Sequence, residues 1–213
     1  MEKSKIDDMA FRNLTYGLFF ITANDGDKDN GCIVNTVGQI TVTPNQISIS
    51  MNKNNLTHDM VLKTGVLNVS VLTQATPFSV FENFGLVSGK NEDKFKRAEA
   101  QSWSSKLKRA ENGCYYLANY ANAMFSCKVV STLDAGTHTI FLAEVMEAQA
   151  IGTEPSCSYA YYFENIKPKP QLKKEEKTGY ICKICNYVYE GESLPADFIC
   201  PLCKHGASDF TKL

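Results

Sequence analysis

The sequence predicts a mainly β protein: an antiparallel barrel with a few capping helices, followed by a small four-cysteine metal-binding unit. Three observations predict it. Six stretches rich in Ile, Val, Thr and Phe have strand length, and several alternate apolar with polar residues. Turn-forming clusters separate them, NDGDKDNG at 24–31 being the strongest hairpin signal. Two Cys-x-x-Cys pairs crowd into the C-terminal tail.

In chain order, Asp7 to Tyr16 reads as a helix, with Met9, Ala10 and Leu14 on a similar face. The strand-like stretches are GLFFITAND, GCIVNTVGQITV, QISISMN, GVLNVSVLT, AMFSCKVVST and HTIFLAEVMEAQAI. Short helices fit LTHDMVLKTG, which ends in a C-cap glycine, and TPFSVFENFG. Many strands with helices as caps suggest a closed antiparallel barrel, because closure removes vulnerable sheet edges. There is no internal repeat, and no GxGxxG or P-loop signature to support a Rossmann domain or an NTP site.

The 213 residues suffice for one core domain plus an appendage, and the formal charge of −1 argues against nucleic acid or anionic lipid as a partner. No apolar run approaches the length of a membrane span, and the start MEKSKIDD lacks a signal-peptide apolar region. The expectation is a cytoplasmic protein, in which paired cysteines are metal ligands or redox centres more often than disulfides. Cys32, Cys114, Cys127 and Cys157 are scattered singly and read as small buried apolar residues.

The clearest boundary is IKPKPQLKKEEKTG at 166–179, where two prolines and a charge-rich remainder have little to bury. This divides the chain into a body over 1–166, a linker over 167–178 and a metal unit over 179–213. A flexible linker of that length spans roughly 20 Å.

In the tail, Cys182, Cys185, Cys200 and Cys203 form two knuckles, each placing two sulfurs on one tight turn. Two facing knuckles make a tetrahedral four-thiolate cage, a geometry that selects zinc or iron without deciding between them. Tyr180, Tyr187, Tyr189, Phe198 and Phe210 add an aromatic core out of proportion to the segment's length. With YxY after the first pair and LPADFICPLC leading into the second, this tail resembles the rubredoxin family. The resemblance implies one iron cycling between Fe(III) and Fe(II), tuned by hydrogen bonds to sulfur and by apolar cover. Departures are Asn186 and Lys204 where rubredoxins carry glycine, Phe198 where Trp is usual, and a shorter loop between the knuckles. A structural zinc ribbon is the alternative.

In the body, Asn35, Thr36, Gln39, Thr41 and Thr43 interrupt a strand pair and could meet the carbonyls and ring nitrogens of a flavin. Asn52, Lys53, Asn54 and Asn55 stand before a helix, whose free N–H groups suit a phosphate. Read alone, such residues are more often solvated turns and simple caps. Their order along the chain, with FGLVSGKNEDKF at 84–95, GTHTIFLAEV at 136–145 and YAYYFENIKP at 159–168, resembles the flavin reductase-like FMN-binding split-barrel family. The resemblance implies noncovalent FMN at a homodimer interface, held by Asn35, Thr36, Gln39, Thr41, the Asn52–Thr57 turn and Lys94 of the DKF stretch. His138 matches a family Asp-His pair near the nicotinamide, with Thr137 in place of Asp. A nicotinamide contact and a structural histidine both remain open for it. His58 is expected on the helix surface and His205 in solvent.

Hydride donors deliver two electrons together, a single iron accepts one, and a flavin bridges the mismatch. The pairing of the two units resembles the high-molecular-weight rubredoxins of anaerobic bacteria. That implies electron flow from NAD(P)H through FMN to iron and on to a flavodiiron protein that reduces O2 or NO. Two alternatives stay open: a flavin reductase releasing reduced flavin, with a zinc ribbon that docks or stabilises, and a non-enzymatic binding module. Over Gly179–Leu213 three lysines face four acidic residues, too small a net charge to name a partner.

Overall fold

A computed structural model of the chain describes residues 6–169 and 179–213. Two compact units are distinguished, Met1–Lys167 and Pro168–Leu213. Most of the linker expected over 167–178 lies outside the described residues.

The strands of the first unit are β1 (Phe19–Asn24), β2 (Asp29–Val34), β3 (Val37–Val42), β4 (Asn45–Asn52), β5 (Val66–Leu72), β6 (Leu107–Arg109), β7 (Tyr115–Leu117), β8 (Ala121–Ala135) and β9 (His138–Ala150). Seven of them form one antiparallel sheet in the order β2-β1-β5-β8-β9-β4-β3, and β6 pairs with β7. The stretch expected as one strand, GCIVNTVGQITV, breaks at Asn35–Thr36 into β2 and β3. Each half pairs with its own hairpin neighbour, β2 with β1 and β3 with β4, which places them on opposite sheet edges. Among the described residues β2 and β3 share no ladder, so the barrel is split rather than closed. Thr36 pins the joint to β4: its hydroxyl donates to the Ser50 carbonyl (2.7 Å), and its carbonyl accepts the Ser50 N–H (3.1 Å). Register shifts at Ser126/Cys127 and Val129/Ser131 mark β-bulges along the long β8, the device that bends a sheet.

Two apolar clusters fill this unit. Ile21, Val34, Ile49, Met51, Val61, Leu67, Val69 and Phe141 belong to one. Leu18, Phe20, Leu72, Phe81, Phe84, Trp103 and Leu117 belong to the other. Strand β1 is buried at four consecutive positions because it serves both, Ile21 facing one cluster and Phe20 the other. Helix α1 (Leu56–Thr64) closes with Gly65 at φ 69°, whose N–H meets the Val61 carbonyl at 2.9 Å, as the C-cap glycine predicts. Helix α2 (Phe78–Phe81) continues into a π turn over Glu82–Leu86. Helix α3 (Lys94–Ala98) is capped by the Asp93 carboxylate, which accepts the N–H groups of Phe95 and Lys96 at 3.0 Å. The helix expected at the N-terminus is a 3-10 turn over Asp8–Asn13, with Phe11 and Leu14 more than half exposed. Among the described residues no helix is long and apolar enough to cross a membrane.

The second unit pairs β10 (Tyr180–Cys182) with β11 (Val188–Tyr189) on one side and β12 (Phe210–Lys212) on the other. The buried residues of its apolar cluster are Cys182, Cys200 and Phe210, with Tyr180, Tyr187, Tyr189 and Phe198 packed around them. Phe198 joins the set, its ring 4.8 Å from Tyr189 and 5.3 Å from Phe210.

Candidate functional site

The knuckles of the second unit repeat one another hydrogen bond for hydrogen bond. The N–H of Cys182 meets the Tyr187 carbonyl and that of Cys200 meets the His205 carbonyl, both at 2.8 Å. The N–H of Asn186 returns to the Cys182 carbonyl (2.8 Å) and that of Lys204 to the Cys200 carbonyl (2.9 Å). This turn ends in a left-handed residue, and Asn186 (φ 63°) and Lys204 (φ 62°) both adopt that conformation. Lys204 therefore holds the same geometry as its counterpart, at a steric cost of about 1 kcal/mol that glycine would avoid.

The four sulfurs lie within 4.8 Å of one another, with Cys182–Cys203 at 3.5 Å and Cys185–Cys200 at 3.3 Å. A metal–sulfur bond of ~2.3 Å sets tetrahedral sulfurs about 3.8 Å apart, so the cage fits one thiophilic metal ion. Burial pushes the Cys185 thiol up to about 11, against the backbone N–H of Tyr187, which favours its thiolate. Burial likewise raises Cys203, against the N–H of His205. At Cys200 burial is outweighed by the Cys203 N–H, the Cys185 thiol and the Leu202 N–H, and the group falls below the ordinary thiol value. The cage thus carries N–H donors aimed at sulfur, and a cation held by Cys182, Cys185, Cys200 and Cys203 would supply the remaining stabilisation of four thiolates.

In the first unit a cleft of about 360 Å³ is bordered by Tyr16, Asn35, Thr36, Gly38, Ser48, Ser50 and Ile140. A second hollow of about 330 Å³ shares Val37 and Gly38 with it, reaches Gln39, and has Phe19, Ile47, Val71, Phe125 and Val145 as apolar walls. Polar edges beside apolar walls on this scale suit a flat heteroaromatic ring. Ser48 and Ser50 were missed in the sequence. Strand alternation held their signal, since Ile47, Ile49 and Met51 are buried and the residues between them must face outward.

The other expected ligands are placed as follows. Gln39 is exposed, its amide 3.4 Å from the Thr41 carbonyl, and the Thr41 hydroxyl donates to the Pro44 carbonyl. At the turn before α1, the Asn52 carboxamide accepts the Asn54 N–H (2.8 Å), and the Asn52 carbonyl accepts the Asn55 N–H (3.0 Å). Lys53 makes an exposed ion pair with Asp134 (2.7 Å). Thr57 is fully buried and accepts from Asn30 (3.0 Å). Lys94, expected to contact cofactor, lines neither hollow. Its buried ammonium donates to the carbonyls of Gly31 (2.9 Å) and Phe84 (3.0 Å), while the Asn83 amide meets the Lys94 carbonyl (2.9 Å). It clamps the 84–94 segment to β2.

His138 is half-buried, stands opposite Asn52 across the β4–β9 ladder, and has Nδ1 at 2.9 Å from the Thr137 hydroxyl. His58 corrects the expectation of a surface residue: it is 4% exposed and edge-on to Phe141. Its burial is tolerated because both ring nitrogens have partners, Nδ1 with Asp59 (3.0 Å) and Nε2 with Thr139 (2.9 Å). His205 is exposed as expected, and Cys32, Cys114, Cys127 and Cys157 are all buried.

Residues 11–169 match the flavin reductase like domain. The chain belongs to the flavin reductase-like family. Residues 180–211 match the rubrerythrin, rubredoxin-like domain. The high molecular weight rubredoxin of Moorella thermoacetica is 35% identical over 98% of this chain and 100% of its own length. The chain is thus of the high-molecular-weight rubredoxin type, a flavin reductase-like oxidoreductase domain joined to a rubredoxin-like one. A ferric-chelate reductase (NAD(P)H) of Archaeoglobus fulgidus is 34% identical over 74% of this chain and 89% of its own length. Among solved structures, the Streptomyces globisporus NADH:FAD oxidoreductase SgcE6, in complex with NAD and FAD fragments, aligns with a TM-score of 0.59. It is 22% identical and covers 69% of this chain and 82% of its own, a likeness of fold.

Proposed function

We propose that this chain carries electrons from NAD(P)H, through FMN in the split barrel, to one iron held by Cys182, Cys185, Cys200 and Cys203, and outward to an acceptor protein. The observation that supports this reading is a four-thiolate cage carried on the same chain as a barrel with a cleft of about 360 Å³. Flavin accepts a hydride pair and gives electrons up singly, and a four-thiolate iron takes them one at a time.

The chain's own residues have separate tasks in this reading. Asn35, Thr36 and Gly38, with Ser48 and Ser50, meet the polar edge of the ring, and Gln39 and Thr41 extend that edge along β3. The turn Asn52–Thr57 takes the phosphate at the start of α1, Lys53 supplying charge. Lys94 acts at one remove, by holding the 84–94 segment in place. His138, oriented by Thr137, contacts the nicotinamide.

A homodimer fits the exposed apolar residues Ile40 and Val42 on the edge strand β3 and Met146 on β9. A flavodiiron-type acceptor in the cytoplasm is the partner that the domain pairing implies. Metal analysis and anaerobic stopped-flow reduction by NADH test the relay. Bleaching of the flavin absorbance is expected first, then of the sulfur-to-Fe(III) bands within the same turnover. A colourless, stoichiometric zinc protein, or iron that stays oxidised over many flavin turnovers, overturns it in favour of a reductase releasing free flavin.

A further inference from the structure

The charges of the second unit nearly cancel in sum but not in space. Cys182 and Cys200 are fully buried, whereas Cys185 and Cys203 are partly exposed, so the metal reaches solvent through the second cysteine of each knuckle. The knuckle segments 182–187 and 199–206 contain Lys183 and Lys204 and no acidic residue. Both lysines are exposed, and among the described residues neither is in an ion pair. Beside them Leu202 is 46% exposed and Ile199 is 61% exposed. The segment between the knuckles, 188–198, carries Glu190, Glu192 and Asp197 and no basic residue.

The ladder sets the start of the acidic segment apart from the first knuckle, while Asp197 stands two residues before Ile199. Tyr189 pairs with Tyr180 at one end of β10, while Cys182 at the other end leads into the first knuckle. The acidic loop therefore departs from the end of the β10–β11 ladder remote from that knuckle. The fourth acid, Asp209, meets Lys183 through its backbone carbonyl, at 2.8 Å from the Lys183 N–H.

We propose that the knuckle face, with Lys183 and Lys204 around Leu202 and Ile199, is the docking surface for a redox protein with an acidic rim around its electron-accepting centre. Apolar contact at the middle with complementary charge at the edge is the common anatomy of such interfaces. The acidic loop adds a dipole that orients the approach and repels a partner arriving from the wrong side. This rests on the reading of the unit as the electron exit, and the tests are chosen to fail separately from it.

The first test needs no electron transfer. The full chain is loaded with zinc, labelled with ¹⁵N and titrated with hexacyanochromate(III), a redox-inert paramagnetic trianion. Selective broadening of the amides of 183–187 and 202–206 is expected, and hexaamminechromium(III) should broaden 190–197 instead. Equal broadening of both regions by either ion overturns the proposal. So does a knuckle face that neither ion reaches, since it is then covered by the chain itself or its mate.

The second test uses iron-loaded protein reduced with dithionite, so that it does not depend on hydride transfer to the flavin. One electron then passes from the ferrous site to hexacyanoferrate(III), giving the ferric site and hexacyanoferrate(II), with no bond made or broken. Replacing Lys183→Gln and Lys204→Gly together should slow this step roughly tenfold at low ionic strength, the gap closing as salt is added. Lys212→Gln, outside the knuckles, should change it less than about twofold. Equal effects of Lys212→Gln and of the double variant, or the absence of a salt dependence, overturn the proposal. If the double variant fails to load iron, the zinc experiment on the unaltered chain decides.

Discussion

In the first unit, two clusters of buried aliphatic and aromatic side chains fill both faces of β1. In the second, two of the three buried core residues are Cys182 and Cys200, themselves metal ligands. The barrel is held by area removed from water, at about 25 cal/mol per Å² of apolar surface. The metal unit has little such area, and bonds from its four thiolates to an ion would supply what holds it. The same chain therefore couples one domain whose core is built of its own apolar side chains to another whose core is built of its candidate metal ligands.

The largest expected effect follows from that difference. Cys200→Ser, or removal of the metal by a strong chelator, should unfold the second unit, because structural four-ligand sites contribute on the order of 10 kcal/mol. The barrel should keep its own thermal transition within a few degrees. NMR dispersion of 180–211, followed alongside calorimetry of the whole chain, reads both at once. A barrel transition that collapses with the metal would break the comparison and show that the units stabilise each other.

How far each half was legible differs for the same physical reason. The metal unit was readable almost residue by residue, since ligand spacing and the residues of the knuckle turns are local in sequence. Asn186 and Lys204 sit where left-handed geometry was expected, and they adopt it. The barrel strands were readable from alternation, but closure was not, because which edges meet depends on pairing between distant segments such as β4 with β9. His58 was misplaced, and the burial of Lys94 went unread, for a related reason. A Lys or His usually seeks water, and only tertiary carbonyls, or a Thr139 hydroxyl 81 residues away, make burial tolerable. The cleft serines Ser48 and Ser50 were legible in principle from the buried Ile47, Ile49 and Met51 that alternate with them.

Lys94 supplies a test on the barrel side. Burial depresses its amine from 10.5 to about 8. The folded state then resists protonation, so a penalty is fully present below about 8 and is relieved as pH rises towards 10.5. Burial of Cys114 and Cys127 acts in the other direction, since their thiols stay protonated in the fold to about 11 and about 12 while unfolded thiols ionise earlier. Comparison with Lys94→Met cancels that contribution. The stability of the unaltered barrel minus that of the variant should grow between pH 8 and 10.5 by on the order of 3 kcal/mol. Denaturant titrations at several pH values measure it, and a flat difference would mean that the carbonyls of Gly31 and Phe84 fully compensate the ammonium for its lost hydration.

The smallest expected effect lies in the metal unit and uses its internal repeat as its own control. Asn186 and Lys204 occupy equivalent turns at nearly equal φ, so the two sites differ in side chain and hardly in backbone. Lysine has no short polar group to compensate the left-handed conformation, whereas asparagine tolerates it through local hydrogen bonding. Lys204→Gly should therefore stabilise the unit by about 0.5–1 kcal/mol, after allowing for glycine's greater freedom when unfolded. Asn186→Gly should change it by less than half of that. Guanidinium unfolding of the iron-loaded chain, followed by loss of the visible thiolate bands, reads both variants against the same barrel. Equal gains would show that the turn penalises any side chain alike; a loss at Lys204 would show that its contacts outweigh its strain.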